Sequence, residues 1–127
     1  MEWIALVTLL AAAQYFVLAI LAGKARADAG IEAPACTGDE RFERFFRVQQ
    51  NTLEQLIIFF PALWVFGYYV SANAGAILGL FFLLGRYMYA RGYVQHPDNR
   101  AAGFILGSLA TLALIIGGLV GVVMALF

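Results

Sequence analysis

Two short polar stretches adjoin long apolar segments, and both carry side chains that could hold a charged ligand. Each stretch places three such residues at helical spacing, on one face of a helix: Arg47, Asn51 and Glu54 in the first, and Arg86, Tyr89 and Tyr93 in the second. The first set covers about 10 Å of helix axis, at ~1.5 Å per residue. Charged groups at membrane depth are costly and mark functional sites. These two sets are therefore the candidates for the functional site.

The composition indicates a membrane protein. Of the 127 residues, 63% are hydrophobic and 13% are charged, whereas a soluble domain has about 45–50% and about 25%. The net charge is zero, so no general attraction to nucleic acid is expected. The single cysteine, Cys36, excludes an internal disulfide and a zinc-type cluster, and we predict no metal site.

Four hydrophobic segments with helical periodicity predict an all-α fold. The helices are expected at about 3–22, 39–70, 75–93 and 101–127, and about 20 apolar residues suffice to cross a bilayer. The prediction is one domain over 1–127, an integral membrane bundle of four transmembrane helices. Three glycine pairs have the spacing i and i+4: Gly75/Gly79, Gly103/Gly107 and Gly117/Gly121. Such pairs can let helices, or whole bundles, approach closely. The alternative is that they only reflect a glycine-rich chain.

The basic residues predict the orientation in the membrane. All eight Lys and Arg lie at 24–47 or 86–100, the regions that connect helices 1 and 2 and helices 3 and 4. By the positive-inside rule both connections face the cytoplasm, and both termini face the opposite side. The polar ends of helices 2 and 3 then lie at the same depth, so the two candidate sets can meet. Glu54 and Arg86 are the expected compensating ion pair.

Two motifs, in this order, resemble signatures of the MAPEG family, the membrane-associated proteins of eicosanoid and glutathione metabolism. They are Arg47-Val-Gln-Gln-Asn-Thr-Leu-Glu54 and Gly85-Arg-Tyr-Met-Tyr-Ala-Arg-Gly-Tyr93. The similarity extends over nearly the whole chain and is strongest to the branch with microsomal glutathione transferases of types two and three and leukotriene-C synthase. The resemblance implies a homotrimer of four-helix protomers that binds glutathione between neighbours, on the cytoplasmic side.

The resemblance also implies roles for individual residues. One protomer would contact glutathione through five side chains: Arg47, Asn51, Glu54, Tyr89 and Tyr93. Three would reach in from the adjacent protomer: Arg26, Gln49 and Arg100. Arg86 would support the site, and Arg100 aligns with the arginine that holds the glutathione sulfur as a thiolate.

Two positions depart from the leukotriene-C synthase pattern. Gln55 stands where that pattern has a tyrosine, and Ala27 follows Arg26 where it has a second arginine. These departures argue against leukotriene synthesis, whereas the residues for binding the thiol are less affected.

The residue types suit glutathione, an anionic tripeptide with two carboxylates, an ammonium group and a thiol. Arginine forks suit the carboxylates, Glu54 suits the ammonium group, and the amides and tyrosines suit the peptide groups. A fixed cation at Arg100 favours the nucleophilic thiolate of a thiol whose pKa is ordinarily ~8.5. We therefore predict a membrane-bound glutathione transferase, without a metal, that conjugates lipophilic electrophiles entering from membrane lipid. Reduction of lipid hydroperoxides is a second reaction that the same thiolate could carry out, and the sequence leaves open conjugation, peroxidase and isomerase chemistry.

Structural roles compete with these functional ones. Arg86 could form only an ion pair with Glu54, and Tyr89 and Tyr93 could be interfacial aromatic residues. Arg26 and Arg100 could only mark the cytoplasmic edge of the bundle. The alternative function is a non-enzymatic lipid-binding or scaffold protein of the same fold. A transporter or channel would need charges along a path through the membrane, and these all lie at one end.

Overall fold

The computed structural model describes all residues from 1 to 127 and contains four long α-helices. They are α1 (Glu2–Ala29), α2 (Glu40–Tyr69), α3 (Ala72–Gln95) and α4 (Ala101–Leu126). A short 3-10 turn, Pro97–Arg100, joins α3 to α4. The helices and the absence of strands confirm the predicted all-α fold.

Local capping rules explain where the helices begin and end. Asp39 caps α2 by accepting a hydrogen bond from the Phe42 backbone N–H at 2.8 Å, and Ser71 caps α3 through the Ala74 N–H at 3.2 Å. Gly30 ends α1 in the left-handed conformation, with φ of 68°, which glycine adopts without a steric penalty.

Two boundaries differ from the sequence prediction. Helix α1 continues to Ala29 rather than stopping near residue 22, because residues 24–29 are mostly good helix formers and an isolated Gly23 does not end a helix. Helix α3 begins at Ala72 rather than near residue 75, because the Ser71 side chain provides its cap. Because α1 extends to Ala29, the connection between α1 and α2 is shorter than expected.

Three helical segments are long and apolar enough to cross a membrane: α1, α2 and the segment Pro97–Leu126 that contains α4. Helix α3 has 24 residues, but Arg86, Arg91 and several tyrosines lower the hydropathy of its second half. That α3 forms a fourth span stays a prediction. Large apolar side chains such as Phe16 and Ile57 are exposed on the outside of the bundle, as expected for a lipid-facing surface.

The hydrophobic core lies along the middle of the bundle and receives side chains from all four helices. Its buried members are Ile4, Val7 and Ala11 from α1, Leu56, Phe59, Leu63 and Phe66 from α2, Ala76 and Phe82 from α3, and Ala110 and Leu114 from α4. The rings of Phe59 and Phe82 stack with their centroids 3.8 Å apart. This stack joins α2 to α3 below their polar ends.

Helices α3 and α4 touch backbone to backbone at small residues. A Cβ atom on Gly85 would lie 2.9 Å from the Gly103 carbonyl oxygen, and one on Gly103 would overlap the Tyr89 backbone nitrogen. The glycines of all three pairs contact other helices of the same protomer, and association of whole bundles through them stays a prediction. The contact at Gly103 fixes the start of α4 against Tyr89.

Arg44 connects α2 to the end of α3. Its Nη1 donates hydrogen bonds to the carbonyl oxygens of Val94 at 3.3 Å and Gln95 at 3.0 Å, and its Nη2 pairs with Glu40. A cation that binds the last carbonyls of a helix also complements the helix dipole. The basic start of α2 and the polar end of α3 therefore lie at the same end of the bundle.

The glycine contact predicts that Gly103→Ala destabilises the protein while Gly23→Ala does not. The new methyl group at residue 103 must displace the α3 backbone, and overpacking of this kind costs about 1–3 kcal/mol. At Gly23 a Cβ would meet nothing within 4 Å, and replacing a helical glycine by alanine gains about 0.5–1 kcal/mol. Thermal unfolding of both variants in detergent tests this, and equal stabilities would contradict the close approach of α3 and α4.

Candidate functional site

The polar ends of α2 and α3 and the start of α4 enclose a cavity of about 470 Å³, here named the α2–α4 cavity. Its lining residues are Arg47 and Asn51 from α2, Tyr89 and Tyr93 from α3, Arg100 from the 3-10 turn, and Ala101, Phe104 and Ile105 from the beginning of α4. Small-molecule sites usually measure about 300–1,000 Å³. Five of the residues singled out in the sequence therefore surround one space of suitable size.

The α2–α4 cavity carries positive charge without a compensating carboxylate. Arg47 and Arg100 line it, and no Asp or Glu does. Neither arginine forms an ion pair within the protomer, and Arg100 donates only to the Pro97 carbonyl of its own turn, at 3.0 Å. Both guanidinium groups are thus available to an anion, which they can bind by charge-assisted hydrogen bonds.

Aromatic side chains form the wall of the α2–α4 cavity. The ring centroid of Tyr89 lies 5.6 Å from that of Tyr93 and 6.2 Å from that of Phe104. Tyrosine offers a hydroxyl that can donate and accept within an otherwise apolar surface. On the α4 side, Phe104 and Ile105 line the cavity and are also exposed on the outside of the bundle. The cavity therefore combines a polar end with an apolar flank.

Arg86 lies beside this cavity and does not line it. Its side chain is buried, with 2% exposed, and its Nη2 donates hydrogen bonds at 2.8 Å to Oδ1 of Asn51 and to Oγ1 of Thr52. Its guanidinium carbon lies 4.2 Å from the centroid of the Tyr89 ring, in the range of a cation–π contact. Arg86 thereby positions one α2 residue and one α3 residue of the site.

The predicted ion pair between Glu54 and Arg86 is wrong. Glu54 is exposed and makes no ion pair with Arg86, which binds Asn51 and Thr52 instead. The reason is helical geometry, because two residues of an α-helix separate side chains by about 200°. Thr52 faces α3, so Glu54 points away from it.

Three further candidates are those that the resemblance implies would reach into the site of an adjacent protomer. Arg100, expected to reach into the site of an adjacent protomer, lines the cavity of its own protomer. Gln49 donates to the Tyr15 hydroxyl at 2.8 Å, toward α1. Arg26 donates to the Ala35 carbonyl at 2.6 Å, and its guanidinium carbon lies 4.6 Å from the Phe42 ring centroid. Gln49 and Arg26 are outside their own α2–α4 cavity, and their reach toward a neighbour stays a prediction.

Thr52 is the site residue that the sequence reasoning missed. It is buried, donates to the Val48 carbonyl at 2.8 Å and accepts from Arg86. A threonine in a helix needs no partner beyond the carbonyl four residues earlier, so its type gave no signal. Its position gave a signal, because residue 52 lies on the apolar face of α2 with Val48 and Leu56. A buried arginine of a neighbouring helix needs a hydrogen-bond acceptor on that face.

The fold and the cavity together define a class of protein. Three membrane-span helices make it an integral membrane protein, and the polar end of its helical bundle contains an electropositive, aromatic-walled cavity. Comparison with known proteins agrees with this class.

The chain belongs to the MAPEG family, whose profile matches residues 4–120. Human microsomal glutathione S-transferase 2 is 41% identical over 112 residues, which cover 88% of this chain and 76% of the relative. Rat leukotriene C4 synthase is 33% identical over 119 residues, 87% of this chain and 78% of the relative. An uncharacterized protein of Synechocystis is 51% identical over 120 residues, 94% of this chain and 88% of the relative.

The contacts of Arg86 predict that Thr52→Val destabilises the protein more than Thr111→Val. Both threonines are buried and donate to the carbonyl four residues earlier, but only Thr52 accepts from an arginine. Loss of a hydrogen bond to a buried charge costs about 1.5–3 kcal/mol, whereas loss of the carbonyl contact alone costs little. Thermal unfolding of the two isosteric variants tests this, and equal losses would show that Thr52 does not support Arg86.

Proposed function

We propose that the protein is a membrane-bound glutathione transferase that activates glutathione as a thiolate. The observation that carries the proposal is the α2–α4 cavity, in which Arg47 and Arg100 face a ligand-sized space without any carboxylate. The names of two relatives, a glutathione S-transferase and a leukotriene C4 synthase, support a thiol co-substrate. In this proposal glutathione is consumed as a substrate and no metal takes part.

The groups around the cavity complement those of glutathione. Arg47 binds a carboxylate of the tripeptide, Asn51 and Tyr93 bind its peptide groups, and exposed Glu54 binds its ammonium group at the rim. Asn51 is held for this role because its Oδ1 already accepts from Arg86, which orients its amide nitrogen. Arg86 itself acts as a positioning residue in the proposal and does not touch the ligand.

Arg100 is proposed to stabilise the sulfur as a thiolate. A cation beside the thiol favours the charged form and lowers its pKa from the ordinary ~8.5. The thiolate then attacks an electrophilic carbon, a carbon–sulfur bond forms, and the leaving group departs with the bonding electrons. Binding both reactants in one cavity supplies the remaining acceleration through proximity.

The second substrate is proposed to be lipophilic. Phe104 and Ile105 line the cavity and are exposed outward by 39% and 55%, so an apolar molecule in the bilayer reaches the sulfur between these side chains. Reduction of lipid hydroperoxides would use the same thiolate. In that reaction two glutathione molecules are oxidised to the disulfide, and the hydroperoxide is reduced to an alcohol and water.

The functional unit is proposed to be a homotrimer with glutathione between neighbouring protomers. Arg26 and Gln49 lie at the same end of the bundle as the cavity but outside its lining. In a trimer they would contribute donors from the adjacent subunit. The basic connections and the cavity are proposed to face the cytoplasm, with both termini on the opposite side.

Substitution of Arg100 tests the proposed chemistry. Arg100→Ala should lower the turnover of an aryl halide about a hundredfold, the scale seen when one group that stabilises a developing or fixed anion is removed. The pH of half-maximal rate should rise toward ~8.5, because the thiol loses its cation. Arg41→Ala is the matched control, since Arg41 pairs with Asp28 outside the cavity. Unchanged turnover, pH profile and thiolate absorbance in Arg100→Ala would contradict the proposal.

The orientation in the membrane can be tested with the natural cysteine. Cys36 is the only cysteine and is exposed in the connection between α1 and α2. In intact cells it should resist a membrane-impermeant maleimide and react after permeabilisation. A variant with Cys36→Ser and Asn73→Cys, which moves the thiol to the exposed start of α3, should react before permeabilisation. The reverse pattern would place the basic connections outside the cytoplasm.

A further inference from the structure

The position of Arg100 depends on its backbone, because its side chain has almost no support of its own. Arg100 is exposed and ends the 3-10 turn Pro97–Arg100, which joins α3 to α4. Its Nη1 donates one hydrogen bond, to the Pro97 carbonyl of the same turn at 3.0 Å, and it forms no ion pair within the protomer. The direction in which its guanidinium group points is therefore set by where the turn lies.

Two close backbone contacts with α3 fix this turn, one on each side of Arg100. After it, Gly103 meets the α3 backbone at Tyr89. Before it, Asn99 meets Gly92: a Cβ atom on residue 92 would overlap the Asn99 carbonyl oxygen and would lie 3.1 Å from the Asn99 carbonyl carbon. The segment that carries Arg100 is thus pressed against α3 at both ends.

The backbone conformation does not explain why residue 92 is a glycine. Gly92 lies inside α3 (Ala72–Gln95), and its φ is not positive. At an ordinary helical position glycine is less favourable than alanine. What the position uses is therefore the absence of a side chain, which lets the turn approach the helix.

The end of α3, on which the turn rests, is tied to α2. Arg44 donates to the carbonyl oxygens of the last two residues of α3 at 3.3 and 3.0 Å. The next residue, His96, donates its N–H to the Gly92 carbonyl at 3.0 Å, and its own carbonyl accepts from the Asn99 N–H at 2.9 Å. An unbroken set of hydrogen bonds thus joins α2 to the turn, although neither Arg44 nor Gly92 lines the α2–α4 cavity.

We propose that Gly92 is a positioning residue for Arg100, and that Arg44 assists by holding the end of α3. Because residue 92 has no side chain, the turn lies close to α3 and presents Arg100 to the α2–α4 cavity, which it lines. This inference rests on the proposed function, in which Arg100 stabilises the thiolate of glutathione. A displacement of about 1 Å near reacting groups can lower a rate by up to about a hundredfold, so a residue outside the cavity can control the reaction.

A purely structural role for Gly92 would give a different pH dependence from a positioning role. Loss of folded protein lowers the rate by the same factor at every pH. A displaced Arg100 lowers the rate by reducing the fraction of thiolate. Above the ordinary thiol pKa of ~8.5 glutathione ionises without help, so the deficit of a positioning variant should shrink there.

Gly92→Ala in the full-length protein in phosphatidylcholine nanodiscs tests the inference. The new methyl group must push the turn away from α3, so the kcat for an aryl halide should fall about tenfold at neutral pH. The KM for glutathione should change little, because Arg47 and Asn51 stay in place. The pH of half-maximal thiolate absorbance should rise toward ~8.5. Gly23→Ala is the matched control, since a Cβ there would meet nothing within 4 Å.

A double variant shows whether Gly92 acts through Arg100. In the Arg100→Ala background, Gly92→Ala should cause no further loss of kcat, because the group that it positions is already absent. Should Gly92→Ala fail to fold, Arg44→Ala tests the same support from α2 without adding volume. It should shift the pH profile in the same direction, whereas Arg41→Ala, whose arginine pairs with Asp28, should not.

The failure of this inference can be told apart from the failure of the proposed function. If Arg100→Ala loses activity while folded Gly92→Ala or Arg44→Ala keeps the original pH profile, the positioning role is overturned and the function stands. Equal loss at every pH, or full additivity with Arg100→Ala, would also overturn the positioning role alone. Full activity in Arg100→Ala would overturn both.

Discussion

The buried guanidinium of Arg86 is the interaction on which the polar end of this bundle depends. A charge at this depth is costly unless it is hydrogen-bonded, and here its Nη2 donates to two neutral oxygens on one turn of α2, from Asn51 and Thr52, while its Nε has no partner. These bonds fix the rotation of α2 against α3. Because Tyr89 lies under the same guanidinium, one side chain sets the relative positions of residues on both walls of the α2–α4 cavity.

The third wall depends on a different constraint, the absence of side chains where α3 meets α4. Gly85 and Gly103 let the two backbones touch, so the start of α4 lies directly against Tyr89. The turn before α4 then carries Arg100 into the cavity rather than away from it. Polar contacts position α2, and glycine packing positions α4. The two mechanisms differ in kind. The position of α2 depends on the geometry of hydrogen-bond donors and acceptors, whereas the position of α4 depends only on the small volume of the glycines.

Much of this arrangement could be predicted from the sequence because it follows from helical periodicity. The spacing of Arg47 and Asn51, and of Tyr89 and Tyr93, placed each pair on one face, and the short turn between α2 and α3 brought the faces together. The partner of Arg86 could not be predicted in this way. Charge alone favoured Glu54, whereas the choice of Thr52 depends on the rotation of α2 about its axis, which core packing of Phe59 against Phe82 helps to set.

The distribution of ion pairs shows why a chain of zero net charge can still attract anions at one end. At the rim, Arg41 pairs with Asp28 and Arg44 pairs with Glu40, so these cations are compensated within the protomer. The arginines that line the α2–α4 cavity, Arg47 and Arg100, have no such partners. A paired surface arginine offers little to a ligand, whereas an unpaired one beside an apolar wall, where the dielectric constant is lower, offers more. The α2–α4 cavity is thus lined by two cations without an ion-pair partner in the protomer, while Lys24 and Arg26, which also lack one, lie outside it.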